Sequence, residues 1–523
     1  MDRRGALQSL LGAGMLSAGG LWLPAAARAQ SPLVAVPRFD ADPFSLGVAS
    51  GYPTPDGVVL WTRLATAPAE PGGGMKPERI AVRWTVAADE RFARVVASGT
   101  AIADPAEAHS LHVEVPGLEP GRHYWYRFAA GNAESPVGRT RTAPPAGPLE
   151  KLRFAFASCQ QYEHGYYGAW AQVVRDDPDV VVFLGDYIYE ASWGRNLVRH
   201  HGTPETMTLD DYRARYALYK SDPDLQAAHA ALPWLLTWDD HEVQNDYGND
   251  HPQDGSDPIR FLVRRAAAYR AFYEHQPLPA SMRPRGPDMR IHARAIYGDL
   301  ATFHLLDDRQ YRSPHACPRP GRGGSNVVDP AACAELADPA RTMLGAEQRD
   351  WLQTGLVASR TRWNILAQQT LMAQLDQKPG PGRTAWTDGW DGYPGERRRL
   401  LEFIAERRVA NPVVIGGDVH MFYVADLKPD FDSEPSPVVA SEFVTTSITS
   451  QGPSLASRER LRADNPHIRL AEPRYRGYTL AHVAPQRMTV DLRAMENVTS
   501  RDARCRTLAS YTVESGRPGA EVS

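Results

Sequence analysis

The chain has 523 residues, more than a single typical domain needs at about 150 residues per unit, so two or more folded units are expected. Its 58 Lys and Arg set against 62 Asp and Glu leave a formal net charge of −4, which offers no nucleic-acid-specific signal and no attraction to an anionic membrane surface. Four cysteines are too few for a disulfide scaffold.

Residues 1–29 read as a signal peptide, with Arg3-Arg4, an apolar run to Leu23 and Ala27-Arg28-Ala29 before Gln30. The arginine pair points to the twin-arginine translocation machinery more than to the general secretory route, although Ala6 stands where such signals usually carry a bulkier residue. The mature protein is then expected to begin at Gln30 and to be periplasmic or extracellular. No later segment approaches the roughly 20 apolar residues of a membrane span, so no transmembrane segment is expected in the mature chain.

From 38 to 143 the pattern alternates apolar and polar residues in short runs such as Val58 to Arg63, Ile80 to Val86 and His123 to Phe128. That spacing predicts an all-β, antiparallel sandwich, and Gly117 to Arg122 resembles a turn of fibronectin III or immunoglobulin-like domains. Pro144-Pro145-Ala146-Gly147-Pro148 is a stiff, non-helical connector. Beyond it, over 150–510, strand-like runs alternate with helical stretches, which predicts an α/β domain with layered sheets. Cys317 and Cys333 bracket a Pro/Gly-rich loop and are candidates to pair once exported; Cys505 has no evident partner.

Four polar turns, each just after a predicted strand, carry the chemistry, because ligands gather at the carboxyl ends of strands in α/β folds. Phe156-Ala157-Ser158-Cys159-Gln160 offers a thiol, suited by residue type to be a transition-metal ligand, a nucleophile or a buried small side chain. The next run is Val181-Val182-Phe183-Leu184-Gly185-Asp186-Tyr187-Ile188-Tyr189-Glu190. There Asp186 can bridge two cations, and Tyr189 can return to the site if a helical turn follows the strand. Thr237 to Glu242 followed by Asn245 supplies hard oxygens from Asp240 and Asn245, and His241 to face a leaving oxygen. Val413 to His420 ends in Asp418 and His420, one hard and one borderline ligand.

Taken in order, these turns resemble the metallophosphoesterases and purple acid phosphatases. Gly185-Asp186-x-x-Tyr189 is similar to their aspartate-tyrosine motif, Asp240-His241-Glu242 to their Asn-His-Glu, and Gly417-Asp418-Val419-His420 to their Gly-His-x-His. Cys159 in place of the first aspartate, with Leu60-Trp61-Thr62-Arg63 and Asp308-Arg309-Gln310-Tyr311-Arg312, resembles the alkaline phosphatase D family. The resemblance implies a layered β-sandwich metallophosphoesterase domain flanked by helices. It also implies Fe(3+) held by Cys159, Asp186, Tyr189 and His420, and Ca(2+) held by Asp186, Asp240, Asn245 and Asp418.

The expected reaction is hydrolysis of phosphate mono- and/or diesters by metal-activated hydroxide, with His241 or water protonating the departing oxygen. Arg309 is expected either to clamp a non-bridging oxygen or to form a structural salt bridge. Small phosphate esters and phospholipid or teichoic-type diesters are the substrates considered. The rival readings are a phospholipase D-like phosphodiesterase and a non-catalytic secreted binding protein. A covalent cysteine mechanism is disfavoured because the residue six after Cys159 is Gly165, not the arginine of a Cys-x5-Arg cradle.

Overall fold

Strands that are apolar on both sides must be covered on both sides, and here two sheets and their helices do so. The computed structural model describes residues 37–378, 380–453 and 464–523, all within one unit, Ala35–Ser523. The signal peptide expected over 1–29 lies outside the described residues.

The first sheet has ten strands. Its centre is the parallel run Leu152–Ala157, Val180–Phe183, Pro233–Leu236, flanked on one side by antiparallel Arg476–Val483 and the C-terminal strands. The second sheet has seven strands, with Ala301–Leu305, Trp363–Ala367, Pro412–Gly416 and Ala440–Val444 mutually parallel at its centre.

The two sheets face each other across an apolar layer. Phe154, Phe156, Val180 and Val182 from the first meet Phe303, Ile365, Val413 and Ile415 from the second, and Phe154 meets Phe303 edge-on at 4.9 Å. Residues of opposite parity, Ala155, Val181, Phe183 and Trp234, turn outward onto Trp170, Tyr216 and Phe272 of the helices. On the far side, Leu366 and Val414 pack against Leu352, Leu400 and Leu401 of Gly345–Ala358 and Pro394–Glu406. The result is helices, sheet, sheet, helices, in agreement with the expected layered α/β class. Helix starts follow local chemistry: Thr208 and Asp211 form a capping box on Leu209–Lys220, and Asp257 caps Pro258–His275.

The N-terminal strands make a sandwich, one face of which continues into the first sheet. Ile80–Ala87, Val95–Ala103 and His123–Ala130 form a separate antiparallel sheet, packed through Val82, Val86 and Tyr126 onto Leu60 and Val113. Val48–Thr54, Gly57–Arg63 and Ser110–Pro116 extend the ten-stranded sheet instead, because Val48–Thr54 pairs in parallel with Pro233–Leu236 in the register Ser50 to Pro233. Gly51 permits that approach: a Cβ there would lie 2.5 Å from the Pro277 carbonyl oxygen and 2.8 Å from that of Trp234.

Cys317 and Cys333 are disulfide-bonded, with Cα atoms 6.1 Å apart; Cys159 and Cys505 are free thiols. Among the described residues no helix is long and apolar enough to cross a membrane.

Candidate metal centre

The parallel strands of both sheets end on one side of the molecule, and their first loop residues are bent sharply. Cys159, Asp186, Asp418 and His420 have φ of 59°, 58°, 63° and 54°, a left-handed conformation that costs on the order of 1 kcal/mol or more for a side chain with a Cβ. These four residues, at neighbouring strand ends, aim their side chains inward. Gly185, at φ 109°, is required before Asp186, since a Cβ there would meet the Asp239 amide nitrogen at 2.4 Å.

The helical turn expected after Val180–Phe183 does not form: no helix begins between Phe183 and Leu209. Tyr189 reaches the site through the bend at Gly185 and Asp186 instead, because the left-handed backbone there reverses the chain without a helical ladder.

Three sets of possible ligand atoms result, each with its members within 4.8 Å of one another: Cys159, Asp186 and His420; Asp186, Asp240 and His241; Asp239, Asp240 and Asp418. Asp186 is shared by the first two and Asp240 by the last two, so the sets form one continuous array. Asp418 and His420, two apart in sequence, fall in different sets. Tyr189 joins the first: its hydroxyl donates to Asp186 Oδ2 at 2.7 Å and lies 3.1 Å from His420 Nε2. Ser450 Oγ donates to the Tyr189 oxygen at 2.8 Å. His420 Nδ1 lies 2.8 Å from the Gln451 carbonyl oxygen, which makes Nδ1 the protonated nitrogen and leaves Nε2 as a lone-pair donor to the site.

Arg309 lies beneath the acids. Its guanidinium is fully buried, with Nε on Asp239 Oδ1 and Nη1 donating to Asp388 Oδ1 at 2.6 Å, while Nη2 stands 3.8 Å from Asp240 and 4.0 Å from Asp418. Nε and Nη1 are spent on ion pairs with Asp239 and Asp388, while Nη2 is buried without a hydrogen-bond partner beside Asp240 and Asp418. Arg312 and His315 also hold Asp388.

His241 and Asn245 both reach the cavity from the loop after Pro233–Leu236. Glu190 lies between them and the core: its Oε2 is 2.6 Å from His241 Nδ1 and its Oε1 accepts the Asn245 amide at 2.8 Å. Glu242 accepts the amides of Asp186, Tyr187 and Asp239, fastening two strand-end loops together. The sequence reading gives a role to neither glutamate nor to Asp388. Glu190 directly follows Tyr189 in the second ligand-bearing run, a signal that could have found it; Asp388 offers none.

Burial dominates the electrostatics. It pushes the Asp186, Asp239 and Asp418 carboxyls well above the carboxylate range, helped by the neighbouring acids and only partly opposed by His241 or Arg309. Burial likewise raises the Cys159 thiol and the Tyr189 phenol, with Asp186 adding to both. For Asp240 burial acts upward too, but Arg309 and His241 overcome it and hold the carboxyl low. His420 is lowered to about 3 by burial and by Arg476, so its imidazole is neutral. His241 is the exception: burial lowers it, but Glu190, Asp186 and Asp240 raise it well above the usual histidine range.

Such crowding of buried acids is costly for the protein alone and is relieved by cations. The donor types fit them: thiol, phenol and neutral imidazole beside Asp186 suit a transition ion, and the carboxylates of Asp239, Asp240 and Asp418 suit a harder one. Asp239 Oδ2 is buried with no hydrogen-bond partner in the structure, leaving one oxygen of that set unused.

The array opens into a cavity of about 460 Å³. Its lining combines the polar Asp186, Asp240, His241, Asn245, Asp418 and His420 with the apolar Leu371, Leu375, Trp386 and Met421.

Known proteins share the sequence or the fold. The PhoD-like phosphatase family matches residues 154–492, and its N-terminal domain matches residues 27–144. Alkaline phosphatase D of Bacillus subtilis (strain 168) is 45% identical over 496 residues, 93% of this chain and 83% of that protein. A solved structure of PhoD superposes with a TM-score of 0.89 at 44% identity, covering 93% of each chain. A purple acid phosphatase from yellow lupin seeds shares the fold alone, with a TM-score of 0.57 at 12% identity over 90% of this chain and 74% of that one. The chain belongs to the PhoD-like phosphatase family, and is a phosphoric ester hydrolase of the alkaline phosphatase D type.

Proposed function

We propose that this chain hydrolyses phosphate mono- or diesters in the 460 Å³ cavity, with Cys159, Asp186, Tyr189 and His420 holding a ferric ion and Asp186, Asp240, Asn245 and Asp418 holding calcium. The observation that carries the reading is the continuous array in which Asp186 belongs to both the thiol-containing and the Asp240-containing set. When bound, such ions neutralise phosphate oxygens and lower the pKa of water in the site.

The protein's own groups supply the rest. His241, charged through its contact with Glu190, faces the cavity and donates a proton to the departing alkoxide. Glu242 fixes the spacing of the Asp186 and Asp239 loops by holding three amides. Arg309 balances the charge of Asp239 and Asp388 from below, and so acts on the acids and not on the substrate.

The apolar lining residues Leu371, Leu375, Trp386 and Met421 favour an ester that carries a further organic group, and with it the diester reading. Export by the twin-arginine route, with a mature start at Gln30, completes the proposal, as does a division into a sandwich over 38–143 and a catalytic unit over 150–510.

The test is elemental analysis of the purified protein together with turnover of a nitrophenyl phosphate monoester and its bis-ester. Iron and calcium with faster bis-ester turnover support the reading. Protein free of both metals and inactive on both esters refutes it, and faster monoester turnover reverses the diester preference.

A further inference from the structure

We infer that Trp386 is a specificity-determining residue, an aromatic seat for the organic group that a phosphate diester keeps after hydrolysis, and that the disulfide-closed strap 317–333 positions it. The inference rests on the reading of the cavity as the site of diester hydrolysis. Trp386 is half-buried and lines that cavity. Its six-membered ring lies against Gly389: a Cβ built there would stand 3.5 Å from Trp386 Cε3 and 3.4 Å from Thr370 Oγ1. Thr370 Oγ1 in turn donates to Asp418 Oδ2 at 2.8 Å. A space the size of one methyl group therefore separates the indole edge from a side chain bonded to the acid array, so one ester can reach both. Leu371, Leu375 and Met421 line the same cavity. An aromatic substituent gains there from stacking on the indole as well as from burial.

Trp386 needs outside support. It sits in a two-residue strand, Ala385–Trp386, paired with Val327–Val328 in the register Val327 to Trp386. So short a pair is marginal by itself. Asn326 extends it: its amide donates to Thr387 Oγ1 at 2.9 Å, and its carbonyl accepts the Thr387 amide at 3.0 Å. The same residue reaches the disulfide, with Nδ2 donating to the Cys317 carbonyl oxygen at 3.0 Å. Cys333 packs with Ala385, the neighbour of Trp386, in a small apolar cluster. The Cys317–Cys333 bond closes a span of 16 residues and so removes much of the conformational freedom that an open strap would have. On its other side the strap meets the cavity again, where the Ser325 amide donates to Asp246 Oδ2 at 3.2 Å and Asp246 is part of the lining.

The experiment uses the metal-loaded full chain and three phosphate esters of p-nitrophenol: the monoester, the methyl diester and the phenyl diester. The leaving group is common to all, and comparing variants on the same pair of diesters cancels their intrinsic reactivity. The readout is the ratio of kcat/KM for the phenyl diester to that for the methyl diester. Trp386→Ala should cut this ratio about tenfold, chiefly by raising KM for the phenyl diester, and Trp386→Phe should restore most of it. The strap is tested by Cys317→Ser with Cys333→Ser, and by Val327→Gly at an exposed position across the pair from Trp386. Each should lower the ratio about threefold and add almost nothing in a Trp386→Ala background.

A ratio untouched by Trp386→Ala, with both diesters turned over, would overturn the inference alone. Strap variants that leave the ratio at its wild-type value, or that multiply with Trp386→Ala, would overturn the positioning by the disulfide. If the serine pair fails to fold, Val327→Gly decides that point, because its exposed side chain is not part of the core. A wild-type protein that hydrolyses the monoester and neither diester would refute the diester reading itself, and the seat for a retained group with it.

Discussion

The Tyr189 hydroxyl donates to Asp186 Oδ2 at 2.7 Å, closing a loop of only three residues across the mouth of two candidate metal sets. The same contact brings a phenol oxygen beside the carboxylate that is common to two of the three candidate ligand sets.

Replacing Tyr189 with Phe keeps the buried ring and removes the oxygen shared with Asp186, His420 and Ser450. The wild-type protein is expected to be coloured by phenolate-to-iron charge transfer. The variant should lose or strongly shift that band, fold normally by circular dichroism, and lose at least about tenfold in turnover. A colourless wild-type enzyme containing only zinc or magnesium would remove the iron assignment.

Asp186→Asn acts on both sets because Asp186 is common to them. Elemental analysis should show iron and calcium falling together. Cys159→Ser, by contrast, should lower iron first, since a hydroxyl is a poorer match than thiolate and Cys159 belongs to one set alone.

Arg309→Met removes the buried cation between Asp239 and Asp388. Asp239 then loses its ion-pair partner while Asp388 keeps Arg312 and His315, so the loss should be about 3 kcal/mol, read by urea denaturation. A substrate clamp would behave differently, raising KM at unchanged stability, so the two measurements together separate the roles.

Three buried or half-buried histidines contribute stability that acid removes before ordinary carboxylates protonate. Burial lowers His112, His292 and His304 each to about 4, with neighbouring arginines lowering all three further. Because the folded values lie below the unfolded one, the unfolded chain binds more protons between about 6.5 and 4. Stability from these groups is complete above that window and falls as pH drops through it. His112 is half-buried, stacked on Tyr273 at 4.2 Å, and its loss is on the order of 2 kcal/mol once partial solvent access is allowed for. His112→Gln should therefore flatten the slope of unfolding free energy against pH across the window.

The candidate site residues were legible because each of their turns follows an apolar run with its own glycine or polar stop. Cys159, Asp186, Asp418 and His420 all stand where a strand must end, and strand ends are encoded locally. The layered fold was legible for the same reason: Val180–Phe183 and Pro412–Gly416 are apolar without alternation, which only a sheet covered on both faces accommodates.

Tertiary structure decided how those residues are used. Left-handed backbone at Asp186, and no helical turn, brings Tyr189 back, beside a Gly185 that the Asp239 loop leaves no room to replace. Arg309 lies 70 residues from Asp239 and 79 from Asp388, so its burial beneath them depended on sheet packing that no local pattern records. The same holds for Glu190 and His241, 51 apart, and for Ser50 and Pro233, whose pairing carries the sandwich into the catalytic sheet. Local sequence sets where a strand stops and which polar atoms follow; which of those atoms meet is settled by long-range pairing, since burying an unpaired charge costs more than any local preference supplies.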